Sequence, residues 1–346
     1  MNNPILAHFT DLVRVPSPSS REANVAAVIK TKLTGWGYRP EQDAAGNILV
    51  RLPGLNPEAG LQILASHMDE IGMVVERINP DGSLAVNRSG GLFPFKIGEG
   101  PVEILGDEET ITGVLSMGST HGGHGDKAGQ SWDSVRILTG LSVAQLAAKG
   151  VRPGTQAVKA RAHCGPIVFG DEADPLVAAW TFDDNLGCAI LLRLLETMVG
   201  EDWLPARPTI IAFTISEEIG GLGAKVVALR ERPEIFIAVD GSPIPAGVPL
   251  VIDGRPGIWA KDARAQYDYE LLRTLQAAAV SAGTELQVAA YTGAASDASL
   301  VFQTGAAQRV ACIGHVRENS HGYEVTRLSG FEKVRATLAA YLRGGE

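Results

Sequence analysis

The chain has 346 residues, of which 45% are hydrophobic and 20% are charged, and its formal net charge is −9. This length allows one large hydrophobic core and a smaller second one. The negative charge disfavours nucleic acid as a partner, and no apolar run approaches the length that spans a bilayer. The N-terminus lacks the features of a signal peptide. Three widely spaced cysteines have the apolar neighbours of reduced core residues, which predicts a cytoplasmic protein: Cys164, Cys188 and Cys312.

The first part of the chain has an alternating helix and strand pattern. Ser19 and Glu22 have the spacing of a capping box, and a helical pattern of apolar residues follows them. Short apolar runs at 47–51 and 62–65 predict strands, and the second leads directly to His67. These elements indicate an α/β domain.

The pattern changes after Gly72. From Met73 to about Arg161, short β-like runs are separated by Gly, Pro, Asp and Asn. The sequence therefore predicts a small β-rich domain, residues 73–161, inserted into a larger α/β domain that is formed by residues 1–72 and 162–346.

The α/β pattern resumes near Val177, and polar residues follow its apolar runs. The run from Thr209 to Ile215 reads as a buried strand and is followed by two adjacent glutamates. A second strand, 234–239, ends at an aspartate, and the last, 310–313, precedes a histidine-containing loop and a final helix at about 330–343. The carboxyl ends of strands are where α/β sheets form their ligand crevices.

Two imidazoles and several carboxylates occupy such strand ends or helix starts: His67, Asp69, Asp183, Glu217, Glu218, Asp240 and His321. Taken singly, each has an ordinary interpretation as a core histidine, a helix N-terminus or a turn residue. Together they form a set of ligands that suits zinc, cobalt or manganese, and the absence of thiolates is typical of a catalytic site. Burying so many acids requires a strong positive charge, so we expect two divalent ions.

A two-metal site needs one shared ligand and two further ligands for each ion. Five residues supply that number: His67, Asp183, Glu218, Asp240 and His321. Glu217 remains, one residue from a ligand, where a general base for the attacking water is needed. Asp69 can accept the other ring proton of His67 and fix the orientation of that imidazole.

These motifs resemble metallopeptidase family forty-two, the glutamyl aminopeptidase-like enzymes that include the tetrahedral TET peptidases. The matching segments are His67–Gly72 (His-x-Asp-Glu-Ile-Gly), Asp183–Gly187 (Asp-Asp-x-x-Gly), Glu217–Gly220 (Glu-Glu-x-Gly), Val239-Asp240 and a C-terminal His321. The resemblance covers essentially the whole chain. It implies a mixed-sheet, three-layer αβα catalytic domain of the phosphorylase/hydrolase-like type, with a PDZ-like inserted domain.

The resemblance also implies site roles. Asp183 would bridge the two ions, with a cis peptide bond to Asp184 as in related enzymes; one ion would take His67 and Asp240, and the other Glu218 and His321. Glu217 would be the base. The enzyme would remove N-terminal residues from short peptides, and the inserted domain would assemble dimers and then twelve-subunit shells.

The chain departs from the family pattern at three places. Asn185 stands where many relatives have Arg. Arg317 and His321 are separated by one residue more than the corresponding Arg and His of many relatives, so His315 is the alternative ligand. The segment 121–126 carries His121 and an additional His124, and we interpret it as a mobile loop that could border the substrate chamber.

Two other functions are compatible with parts of the sequence. A glycosidase would use Glu217 and Glu218 as an acid/base pair, but it needs two carboxyls about 5 Å or more apart across a sugar, and it leaves the histidines unexplained. A non-enzymatic metal-binding assembly protein would explain the ligands but not the additional Glu217. The sequence therefore favours the aminopeptidase.

Overall fold

The computed structural model describes residues 3–119 and 131–344. The α-helices of this part are α1 (Pro4–Val13), α2 (Ala23–Gly35), α3 (Pro94–Ile97), α4 (Val143–Ala148), α5 (Phe182–Gly200), α6 (Leu222–Glu231), α7 (Tyr269–Ser281), α8 (Asp297–Gln303) and α9 (Leu328–Gly344). The first strands are β1 (Glu41–Gln42), β2 (Ile48–Leu52), β3 (Gln62–His67), β4 (Gly72–Ile78), β5 (Leu84–Ser89), β6 (Gly100–Leu105), β7 (Thr110–Ser116), β8 (Arg136–Leu138) and β9 (Gln156–Lys159). The remaining strands are β10 (Ile167–Phe169), β11 (Leu176–Trp180), β12 (Thr209–Thr214), β13 (Ile235–Val239), β14 (Ser242–Pro243), β15 (Gly257–Lys261), β16 (Gln287–Ala290), β17 (Arg309–Gly314), β18 (Val316–Glu318) and β19 (Tyr323–Arg327).

The main sheet has eight strands in the order β1-β2-β12-β3-β13-β17-β15-β16. Its central strands β12, β3, β13 and β17 run parallel, while β2 pairs antiparallel with β12 and β15 pairs antiparallel with β17. Every residue of β3, β12 and β13 is buried, as expected for parallel strands covered on both faces. The α/β fold with a mixed sheet that the sequence predicts is confirmed.

A second sheet, which the sequence did not predict, has five strands in the order β10-β11-β19-β18-β14. Strand β11 pairs antiparallel with β19, which pairs antiparallel with β18. Its strands are short, and their sequences carry few β-branched runs that would mark them. This sheet delivers the start of α5 and the loop between β18 and β19 to the same place.

Six strands form a closed barrel in the order β4-β5-β8-β7-β6-β9, and all of them lie between Gly72 and Lys159. Buried and exposed residues alternate along β7, as they do where one face of a strand points into a barrel. The barrel supports the division into residues 73–161 and the rest of the chain, which we retain as a proposal. The likeness of this domain to PDZ modules stays a prediction, and the His121–Asp126 segment lies outside the described residues.

The capping box predicted at Ser19 and Glu22 is wrong. Helix α2 has Glu22 at its cap position but no capping bond from a side chain. The Ser19 hydroxyl donates instead to Asp69, and the Glu22 carboxylate accepts from the backbone N–H of Ser216. Both side chains therefore bond long-range partners, although Glu22 also accepts locally from the backbone N–H of Ser20 at 2.9 Å.

Two other expectations concern the whole chain. Cys164, Cys188 and Cys312 are free and buried, as the sequence predicts for core residues. Among the described residues, no helix combines the length and the apolar character that a membrane crossing requires.

Candidate metal centre

The predicted site residues come from the ends of neighbouring parallel strands and from the second sheet. His67 ends β3 and pairs in register with Thr214 at the end of β12, so Glu217 and Glu218 follow close beside it. Asp240 comes directly after β13, the other neighbour of β3. Because parallel strands place their carboxyl ends at one edge, these side chains converge there.

Asp183 lies at the centre of this cluster. Its Oδ1 is 3.1 Å from Nε2 of His67, and its Oδ2 is 3.4 Å from Nε2 of His321. The same His321 nitrogen lies 3.7 Å from Oε1 of Glu218. The structure thus brings all five predicted metal ligands together, and it places His321 rather than His315 against them: His315 is buried elsewhere, edge-on to the ring of Phe182.

Two groups of side chains could each hold a metal ion, because the possible ligand atoms within each group all lie within 4.8 Å of one another. One group is His67 with Asp183 and Glu218, and the other is His67 with Asp184 and Asp240. Asp184 was not among the predicted ligands. The expected cis peptide bond between Asp183 and Asp184 is present. The Asp184 carboxylate accepts a short hydrogen bond from the Ser66 hydroxyl and one from the backbone N–H of His67, 3.3 Å away. It therefore lies directly behind the predicted site.

Asp69 holds three parts of the site through its carboxylate. It accepts hydrogen bonds from the backbone N–H groups of Glu217 and Glu218, at 2.9 and 3.2 Å, and from the hydroxyl of Ser19 at 2.6 Å. The nearest acceptor for Nδ1 of His67 is the Asp69 backbone carbonyl, at 3.0 Å, with the carboxylate Oδ1 at 3.4 Å. Asp69 can thus orient His67 as predicted, and it also fixes both glutamates.

The cluster has a large excess of buried acid. Burial raises the pKa of Glu218 to about 7, and burial together with the charge of Asp183 raises the pKa of Asp240 to about 6. Burial would also raise the pKa of Asp183, but the charge of Arg317 and the hydrogen bonds from His321 and His67 together outweigh it and hold that pKa well below its usual range. Without a bound cation, burial therefore favours the protonated forms of Glu218 and Asp240.

Arg317 and Glu324 form a buried pair behind Asp183 that the sequence did not reveal. Arg317, on β18, donates through Nη2 to Oδ2 of Asp183, and its Nε is 3.0 Å from Oε1 of Glu324, on β19. Glu324 also accepts from the backbone N–H of Asp183 at 2.9 Å. The only sequence signal was the position of Arg317 in the motif before His321.

The donor set fits two divalent cations. Eight carboxylates of the centre and its supporting residues are buried or half-buried: Asp69, Asp183, Asp184, Glu217, Glu218, Asp240, Asp297 and Glu324. The Arg317 guanidinium lies within 4 Å of three of them, Asp183, Asp240 and Glu324. Oδ1 of Asp297 is buried and has no hydrogen-bond partner among the residues that the structure describes. Such a concentration of negative charge is costly unless cations neutralise it, and imidazole and carboxylate ligands without thiolate are those of a catalytic site for zinc or a similar ion.

A cavity of about 640 Å³ opens directly onto the cluster. Its inner end is formed by Asp183, Glu217, Glu218, Asp240 and His321. Its wall is largely apolar and includes Pro243, Val248, Trp259, Tyr291 and Leu300. Within the described parts of the chain, Arg264 is the one lining cation outside the cluster. The cavity can therefore hold a small organic group against the carboxylates.

Comparisons with known proteins agree on one family. The model of the M42 glutamyl aminopeptidase family matches residues 46–336. The glutamyl aminopeptidase of Lactococcus lactis is 29% identical over 241 residues, which are 67% of this chain and 65% of that protein. The lysyl aminopeptidase of Pyrococcus furiosus is 28% identical over 204 residues, 57% of this chain and 55% of that protein. The chain therefore matches somewhat less than two thirds of each relative's length.

Among solved structures, the TET1 peptidase of Pyrococcus horikoshii has the same fold. The two chains align with a TM-score of 0.85 and 23% identity over 98% of this chain and 99% of that chain. The family model spans the site residues from His67 to His321 as well as the inserted barrel. The chain belongs to the M42 glutamyl aminopeptidase family.

Proposed function

We propose that the protein is a metal-dependent aminopeptidase that removes N-terminal residues from short peptides. The observation that carries this proposal is the convergence of two imidazoles and the carboxylates around Asp183 at the inner end of a largely apolar cavity. Membership of the M42 glutamyl aminopeptidase family supports it.

Two divalent ions, zinc or cobalt and alternatively manganese, would be held in this centre. Asp183 would bridge them, with His67 and Asp240 on one side and Glu218 and His321 on the other. The ions would supply a water of lowered pKa and would polarise the scissile carbonyl. Arg317 donates to the Asp183 carboxylate, and Glu324 accepts from the Asp183 backbone N–H, so both residues hold Asp183 in place.

Glu217 would act as the general base. It lines the cavity beside Glu218. Its backbone N–H donates to the Asp69 carboxylate, which also accepts from the backbone N–H of Glu218. From this position Glu217 takes a proton from the attacking water and returns it to the leaving amine. Asp69 acts as a positioning residue, because it holds both Glu217 and His67.

The wall of the cavity points to the preferred N-terminal residue. Arg264 lines it, is exposed and has no ion pair with an acid among the described residues, while the other lining residues outside the metal cluster carry no charge. We propose that an acidic N-terminal side chain binds beside Arg264, as the glutamyl name of the Lactococcus lactis relative suggests. A guanidinium is well suited to bind a carboxylate with two parallel hydrogen bonds.

The test is hydrolysis of a panel of aminoacyl p-nitroanilides, free and N-acetylated, by metal-stripped protein resupplied with zinc, cobalt or manganese. The expected result is metal-dependent release from the free substrates alone, fastest for glutamyl and aspartyl substrates. Equal rates on blocked substrates, or hydrolysis of a β-glucan run in parallel and of nothing else, would overturn the proposal.

The rival functions explain less of the site. A glycosidase built on Glu217 and Glu218 has no use for His67, Asp183 and His321, which lie within 3.7 Å of one another or of Glu218. A metal-binding assembly protein has no use for Glu217 at the inner end of an apolar cavity. Bound metal without hydrolysis of any substrate in the panel would favour the assembly protein.

We further propose that the protein is a homo-oligomer in which dimers build a twelve-subunit shell. The TET1 peptidase of Pyrococcus horikoshii, which has the same fold, can assemble into a tetrahedron or a large octahedral shell. In this chain, β10 presents the three exposed apolar side chains of Ile167, Val168 and Phe169 at the edge of the second sheet. Light scattering coupled to size exclusion tests the mass of the assembly. The cytoplasmic location stays a prediction.

A further inference from the structure

A loop of the inserted barrel lies against the ligands of the metal centre. After β5, the chain leaves the barrel at Gly90 and Gly91 and touches residues that come much later in the sequence. A Cβ atom on Gly91 would lie 2.5 Å from Cε1 of His321 and closer still to its Nδ1. A Cβ atom on Gly90 would lie 3.2 Å from that of Glu218. Only backbone without side chains fits this close approach.

The contact with His321 is a hydrogen bond that determines the state of the ring. Nδ1 of His321 lies 3.0 Å from the carbonyl oxygen of Gly91, a residue 230 positions away in the sequence. Because a carbonyl oxygen can only accept, Nδ1 must carry the proton and donate it. The lone pair of Nε2 is then available on the side where Asp183 and Glu218 lie, 3.4 and 3.7 Å away.

The two imidazoles of the centre differ in how they are supported. His67 is nearly sealed, with 2% of its side chain exposed, and its Nδ1 is bonded by the carbonyl of Asp69 in the same strand end. The His321 side chain is 33% exposed, and the residue lies in a loop with a left-handed φ of +58°. Packing holds His321 much less firmly, so its orientation depends more on the hydrogen bond to Gly91.

We propose that the Gly91 carbonyl is a positioning group for the metal ligand His321, so that the inserted barrel completes the metal centre of its own chain. Partners that orient a ligating histidine typically change metal affinity by about 10- to 100-fold when they are lost. The ion that His321 would hold is therefore the one whose binding depends on the barrel. This inference rests on the proposed function only in assuming that the centre binds metal.

The first test is Gly91→Ala in the full-length protein, with cobalt counted per chain and its affinity measured by titration. The added methyl group displaces the His321 ring, but it adds no backbone strain, because the backbone of Gly91 is not in the left-handed region. We expect one of two cobalt ions to bind at least about tenfold more weakly. Gly35→Ala is the matched control, because no heavy atom of a neighbouring group in residues 3–119 and 131–344 lies within 4 Å of the new methyl group.

The second test uses the unchanged protein, so it does not depend on the folding of a variant. In the cobalt-loaded protein, the ring N–H of His321 gives a paramagnetically shifted proton signal, identified by its loss in His321→Gln. We expect this proton to exchange slowly with D₂O, because it is hydrogen-bonded to the carbonyl oxygen of Gly91. Rapid exchange, or two ions bound with unchanged affinity in folded Gly91→Ala, overturns the inference and leaves the aminopeptidase proposal intact. A protein that binds no cobalt overturns both.

Discussion

Arg317 donates a hydrogen bond to the carboxylate of Asp183 in the middle of an otherwise acidic cluster. The same guanidinium lies 3.7 Å from Asp240 and 3.0 Å from Glu324. Unlike the imidazoles of His67 and His321, whose charge depends on protonation, the guanidinium is positively charged with or without metal. Its removal should therefore affect the metal-free and the metal-loaded protein differently.

We expect Arg317→Met to lower the free energy of unfolding of the metal-free protein by about 3–5 kcal/mol, the typical cost of breaking a buried ion pair. Zinc should recover a large part of this loss, since it neutralises the same carboxylates. Urea unfolding with and without zinc measures both values. Arg255→Met is the control: its ion pair with Asp253 is exposed, and its loss should cost at most about 1 kcal/mol. Equal losses with and without zinc would contradict the role of Arg317.

Glu217→Gln should lower kcat by about 10²- to 10⁴-fold, because it removes the general base. Two metal ions per chain should remain bound, since Glu217 is the acid that the ligand set does not use. The same change at its neighbour, Glu218→Gln, should lower metal content as well as turnover. Metal analysis alongside the p-nitroanilide assay distinguishes the two variants. If Glu217→Gln keeps its activity, Glu217 is not the base.

Arg264 should determine substrate preference without contributing to the chemistry. Arg264→Ala should lower kcat/KM for glutamyl p-nitroanilide by at least about tenfold, the equivalent of losing one charge-assisted pair, and leave the alanyl substrate nearly unchanged. Arg264→Glu should shift the preference towards lysyl substrates. Arg273→Ala removes a guanidinium that stacks near Tyr269 outside the cavity, and it should have no effect on either substrate. A uniform loss on all substrates would place Arg264 outside the specificity pocket.

His8 should make stability depend on pH. Burial lowers its pKa below the usual 6.5, although the hydrogen bond to Glu196 opposes this shift. The unfolded chain therefore binds a proton more readily than the folded one, and stability falls as the pH drops through about 6.5 towards the lower pKa of the folded state. His8→Gln should show a smaller loss of stability between about pH 7.5 and pH 5.5 in urea unfolding. The exposed His163→Gln is the control, and an equal loss in all three proteins would refute the effect.

The main sheet and the strand-end acids were predictable because their signals are local. The runs that became β12 and β13 are short, apolar and rich in β-branched residues, and they stop at charged residues. A strand that is buried on both faces cannot contain those charges, so Glu217, Glu218 and Asp240 had to lie at its end. The number and chemistry of these side chains then predicted a metal centre.

The sequence by itself determined the α/β class, the inserted β-rich segment and the set of residues that converge. Tertiary structure alone decided which side chains support that set. Ser19 and Glu22 have the local spacing of a cap, yet they bond Asp69 and Ser216 from a distance. The second sheet brings Arg317 and Glu324 to the centre, and a barrel loop brings Gly91 there. Their distances along the sequence from the residues they contact are too large for a helix or strand periodicity to reveal. Hydrogen bonds between such distant residues depend on where the folded strands place them. Patterns in neighbouring sequence positions carry no signal for these contacts.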